Sequence, residues 1–131
     1  MKKIILAAAL TLAPMAVHAQ DVAGTWQSAP SDTGSYITVD IGACAAEASQ
    51  TCGNITGVFE ADGSAGNQEI VGKPIIWDMQ PSGTNAWDSG TIWAPDQDKT
   101  YTSKMELNGD TLSVSGCVLF ICRSQDWTRV N

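Results

Sequence analysis

Ile37, Val39 and Ile41 alternate with Tyr36, Thr38 and Asp40, the two-residue period of a strand with one buried face. The same alternation returns at Tyr101, Ser103, Met105 and Leu107. Asn108-Gly109 then separates that run from Leu112-Ser113-Val114, which is the strongest short hairpin signal in the chain. Carried along the sequence, the pattern predicts eight strands, near 24–28, 35–43, 53–61, 73–80, 86–94, 99–107, 111–118 and 122–130. Pro30-Ser31-Asp32, Asp62-Gly63-Ser64, Pro81-Ser82-Gly83 and Pro95-Asp96-Gln97-Asp98 punctuate them as turns. Residues 45–49 are expected to form one helical turn. The Gly/Asn-rich stretch 62–72 reads as a surface connection rather than a lid.

Eight short antiparallel strands joined by tight turns predict an all-β, up-and-down barrel, because closure removes exposed sheet edges. A sandwich is the rival architecture. A barrel of this size is either filled by its own side chains or holds one small ligand.

The N-terminus changes how the composition is read. Lys2 and Lys3 precede an apolar run over 4–13, and Val17-His18-Ala19 has the small-x-small form of a cleavage site. Residues 1–19 therefore read as a signal peptide, with 20–131 as one domain, periplasmic or secreted and monomeric. The apolar run is too short to cross a bilayer. Cleavage removes His18, the only histidine, and leaves five basic residues (Lys73, Lys99, Lys104, Arg123, Arg129) against 14 acidic ones, a formal charge of −9. That surface argues against nucleic-acid binding and against docking on anionic lipid heads.

Four cysteines in an exported chain of this length read as structural staples. Of the three possible pairings, the local one, Cys44–Cys52 with Cys117–Cys122, joins residues across short connections. Each bridge is worth about 2–3 kcal/mol in the chain-entropy model. Thiol chemistry is disfavoured, since Cys117 and Cys122 lie in strand-like surroundings without a helix start. Metal binding is disfavoured too, and no cofactor is expected. Between these cysteines, Val118-Leu119-Phe120-Ile121 either folds over a barrel end as core, which is the favoured reading, or presents an apolar patch to a ligand or partner.

Gly24-Thr25-Trp26 opens the first predicted strand and Trp127-Thr128-Arg129 closes the last. This resembles the calycin, lipocalin-like barrels, and the resemblance implies that Gly24, Trp26, Trp127 and Arg129 close the barrel base, guanidinium on indole. More extensively, "GTWQS", Cys44 with "TCGNITG", "VGKPIIW", "WDSGTIWAPDQDKTYTSKMELNGDTLSVSGC" and "SQDWTRV" resemble a bacterial exported family, domain of unknown function 2147. That resemblance implies a small periplasmic β-barrel and names no activity. The family often carries a cysteine where this chain has Val71, a departure that favours Cys44–Cys52 here.

Five tryptophans and two tyrosines either line a pocket or fill the barrel. Trp77, Trp93, Tyr101 and Met105 are the candidate ligand contacts. Without histidine no Ser-His-Asp or Cys-His arrangement can form, so the chain reads as a non-enzyme. A carboxylate pair is the remaining catalytic option, because Glu60, Asp78 and Asp88 lie near predicted strands and two such groups can share acid–base work. The function expected is binding of a small apolar or amphipathic ligand or an envelope partner; the alternative is an interaction domain of the cell envelope with a filled barrel.

Overall fold

The computed structural model describes residues 21–131. The signal-peptide reading, with its cut after Ala19 and the loss of His18, falls outside the described residues. Eight antiparallel strands form a closed barrel in chain order: β1 (Gly24–Gln27), β2 (Tyr36–Ala43), β3 (Thr51–Phe59), β4 (Pro74–Gly83), β5 (Ala86–Ala94), β6 (Lys99–Asn108), β7 (Thr111–Val118) and β8 (Ile121–Arg129). β1 pairs with β8 through Trp26↔Arg129 and Gln27↔Thr128. That pairing closes the sheet, so among the described residues no edge strand is left open to recruit a foreign one.

The up-and-down course gives the barrel two distinct ends. At the base lie the start of β1, the Asn108–Thr111 hairpin and the end of β8. Trp26, Leu112 and Trp127 are almost completely buried there, with Val39, Met79 and Leu107 around them. Arg129 holds its guanidinium carbon 4.4 Å from the centre of the Trp26 ring. Its Nη1 donates to the Ala23 carbonyl at 3.0 Å and its Nη2 to that of Asp21 at 2.8 Å. Its Nε lies 3.3 Å from the Asp110 carboxylate, while the Trp26 indole donates to the Val22 carbonyl at 2.9 Å. Gly24 makes this closeness possible, with φ +143° and no room for a Cβ, which would stand 2.6 Å from the Asn131 carbonyl oxygen.

Disulfides sit at opposite ends. Cys44–Cys52 ties the β2–β3 connection at the base, and Cys117–Cys122 ties the β7–β8 hairpin at the other end, the mouth. The expected helical turn at 45–49 is absent. The bridge holds the connection short, Cys44 N–H donates to the Gln50 carbonyl, and Glu47 accepts from the Ser49 amide and hydroxyl. These bonds make a turn in place of a helix. The one helical element among the described residues is a short 3-10 turn, Gln68–Ile70, capped by Asn67; it lies inside the stretch read as a plain connection. The base hairpin turns on Gly109-Asp110, because Asn108 still pairs with Thr111.

Candidate functional site

The mouth half of the barrel is hollow. A cavity of about 1020 Å³ opens between the strand ends there, at the upper end of the usual range for small-molecule sites. Strand alternation builds one wall from β8, with Ile121, Arg123, Gln125 and Trp127 turned toward it. Trp127 forms part of the floor, and the six-residue climb from it to Ile121 spans about 20 Å. On β7 the inward positions are Val114, Gly116 and Val118. Ile37, Val58, Ile75 and Ile92 add apolar surface from the other strands, and Ile70 of the 3-10 turn joins them. At Gly116 a Cβ would fit without a clash, its nearest neighbours being Tyr101 and Ile92 at ordinary contact distances of 3.5 Å and more. The site is thus an apolar chamber with a few polar groups on one strand and around the rim.

Those polar groups are individually placed. Trp127 donates its indole N–H to Gln125 Oε1 at 2.9 Å. On the rim, the Trp93 indole donates to Asp98 Oδ1 at 3.0 Å, and the Tyr101 hydroxyl donates to Gln97 Oε1. Lys73 holds its ammonium 5.7 Å from the Trp93 ring centre. Among the described residues Arg123 is the only lysine or arginine on the cavity wall, and no carboxylate lies within 4 Å of it. Two carboxylates elsewhere have lowered pKa values: Glu47 through the hydroxyl and then the amide of Ser49, and Asp62 through those of Ser64. Both belong to exposed turns, outside the cavity.

The four candidate ligand contacts separate. Trp93 and Tyr101 line the cavity; Trp77 and Met105 do not. Met105 is inward as its alternation requires, but it pairs with Val114 deeper in the barrel and lies buried in the core. Trp77 follows Ile76, whose pairing with Ile92 is inward, so alternation turns its half-buried ring to the outer face. The tip Val118-Leu119-Phe120-Ile121 is not core. Leu119 is 91% and Phe120 100% exposed, because the two strands pair up to Val118↔Ile121 and leave only two residues to turn. All four tip residues form a lip of the cavity. Leu119 takes φ +53°, a conformation that costs a branched apolar residue about 1–2 kcal/mol.

Glu60, Asp78 and Asp88 are exposed and none lines the cavity. Among the described residues no three histidine, cysteine, aspartate or glutamate side chains gather as a metal site would need. A second hollow, of about 400 Å³, lies at the base beside the β6–β7 hairpin, with Glu106, Thr111, Ser113 and Asp126 around it. Sequence reasoning missed Arg123 and Gln125. Their signal was phase: Trp127 had been placed inward, and residues two and four positions before it on a strand share its face.

Among solved structures, protein HP1028 from Helicobacter pylori, described as belonging to the lipocalin family, has the same fold. Its TM-score is 0.66 at 13% identity, over 85% of this chain and 84% of that one. As-p18, an extracellular fatty acid binding protein, aligns with a TM-score of 0.44 at 9% identity over 82% of this chain and 94% of that one. Among curated proteins, none matches the sequence. The family profile of DUF2147, described as an uncharacterized protein conserved in bacteria, matches residues 24–129, and the chain belongs to that family.

Proposed function

We propose that this barrel is an exported binding protein, periplasmic or secreted, that takes a small apolar or amphipathic molecule into the mouth cavity and carries out no catalysis on it. The observation that carries the reading is the cavity itself, about 1020 Å³ with mainly apolar walls above a packed floor. Chambers with apolar walls and a few fixed polar groups suit ligands of that kind. Two disulfides support an oxidising compartment, as does the N-terminal sequence. The lipocalin-like fold agrees with a binding role without specifying a ligand. Glu60, Asp78 and Asp88 stand away from the chamber, and Asp96 is the one carboxylate among its described lining residues, so no carboxylate pair faces a ligand there, which favours binding over catalysis.

Titration with the neutral fluorophore N-phenyl-1-naphthylamine tests the reading. Saturable enhancement at one site per chain, reversed by competing amphiphiles, is the expected result. Absence of saturable binding, together with no retained small molecule in native mass spectra, contradicts it. A second reading, contact with an apolar envelope partner, is favoured by the fully exposed Phe120. Photocrosslinking from position 120 in intact cells separates the two: a discrete protein adduct supports the partner, and its absence leaves the lip to ligand entry alone.

A further inference from the structure

We infer that the ligand is a single-chain amphiphile with an anionic headgroup, and that Arg123 and Gln125 receive that headgroup inside the cavity; this rests on the binding role proposed above. Arg123 and Gln125 occupy alternate positions of β8 and face the chamber together, about 7 Å apart along the strand. The orientation of Gln125 is decided by chemistry. An indole N–H is a donor only, so the Trp127 contact at 2.9 Å takes the amide oxygen and leaves the amide nitrogen as the free end. That nitrogen has no partner among the described residues. Arg123 contributes a guanidinium fork with no carboxylate within 4 Å, and such a fork matches the planar spread of a carboxylate or phosphate. Both free groups on this strand therefore donate. A headgroup that only accepts is their complement, and an ammonium headgroup finds no free acceptor among the cavity-facing residues of that strand.

Position orders the rest of the molecule. Arg123 lies opposite Gly116, so no side chain on the facing β7 position fills the space beside it. Below the two donors the wall turns apolar, at Val114, Ile75 and Trp127, and there an alkyl chain is buried. The described chain carries more acidic than basic residues, and Asp96 lines the cavity as well. The attraction is therefore local to Arg123 and works against the general field, so a rise in ionic strength weakens the headgroup contact and the surface repulsion together.

The test is displacement of N-phenyl-1-naphthylamine by four dodecyl compounds at pH 7.5: dodecanoate, dodecyl phosphate, dodecanol and dodecyltrimethylammonium. The expected order places both anions about tenfold or more ahead of dodecanol, as charge-assisted hydrogen bonds predict, and the cation last. Arg123→Gln and Arg123→Met bring the anions down to the affinity of dodecanol measured on the same variant, and Arg123→Lys retains part of the difference. Relative affinity of the carboxylate and phosphate arms identifies which anion is the better match, either supporting the inference. Equal binding of dodecanol and dodecanoate, or an anion preference that survives Arg123→Gln, overturns the inference and leaves the binding role intact. Failure of all four to displace the probe overturns both.

Discussion

Gly90 and Gly116 stand in one row across the sheet, Gly90↔Ser103↔Gly116↔Arg123, yet they meet different interiors. A Cβ on Gly90 would come within 2.5 Å of Met79 Sδ, whereas one on Gly116 would meet nothing nearer than 3.5 Å. On the Gly90 side the missing side chain is replaced by a neighbour's, in the way a close-packed core requires. On the Gly116 side there is room for a Cβ in ordinary contact with Tyr101 and Ile92, at the edge of the cavity that Gly116 lines. The difference shows how so small a barrel can be stable and hollow at once. Closure and the layer of Trp26 and Trp127, with the Arg129 guanidinium over Trp26, stabilise the base, which frees the mouth from filling itself. The two hairpin tips repeat the contrast. Gly109 takes a positive φ at the base without penalty, while Leu119 takes one at the mouth, exposed and apolar. Departures from local consistency of that kind are expected where function, not folding, sets the residue.

Substitutions at the two ends should diverge accordingly. The largest effect is expected from Trp26→Ala, which removes a fully buried ring and the surface under Arg129, at a cost of about 3–5 kcal/mol. Phe120→Ser, an equally large change in chemistry at the lip, should stay within about 0.5 kcal/mol. Urea denaturation of the two variants measures both; similar losses would break the contrast. Removing either disulfide as a double alanine variant should cost about 2–3 kcal/mol. Only loss of Cys117–Cys122 should also weaken probe binding, because only that bridge holds a lip of the cavity. Leu119→Gly should raise stability by up to about 1 kcal/mol by relieving the positive φ, with reduced probe affinity where the leucine side chain contributes to the rim.

The smallest effects concern pH. The hydroxyls of Ser49 and Ser64 hold the Glu47 and Asp62 carboxyls below the ordinary carboxylate value. A depressed folded-state pKa adds stability above the unfolded value, and that stability is lost as pH falls through the folded one. Glu47→Gln at the base and Asp62→Asn in the β3–β4 connection should each slightly flatten the acid side of the stability profile. Urea midpoints measured from about pH 6 down to pH 2 cover this window. Neither variant should alter probe binding at neutral pH.

The base was largely legible in the sequence and the mouth was not, for a physical reason. Closure depends on residues whose identity is informative: a glycine before Trp26, and an arginine two positions after Trp127. Period-two alternation also placed strand ends within three residues or fewer, since burial on one face leaves little freedom of register. At the mouth, the informative residues are Arg123 and Gln125, which line the cavity yet stay exposed to water, so nothing in their type sets them apart from residues of an outer face. Trp77 was misplaced because β4 carries register shifts opposite Thr51, Gly53 and Asn54, and a bulge has no residue signature of its own. The 45–49 segment has helix-forming residues, yet the hairpin geometry and the Cys44–Cys52 bridge overrode that local preference.

Gly116→Leu tests the central claim most directly, because it places a side chain inside the chamber and nowhere else. A hollow mouth predicts that this variant keeps or raises the urea midpoint and loses at least about tenfold in N-phenyl-1-naphthylamine affinity. A filled interior predicts the reverse: overpacking would destabilise the barrel by about 1–3 kcal/mol, with no probe binding to lose. The second result would contradict the account.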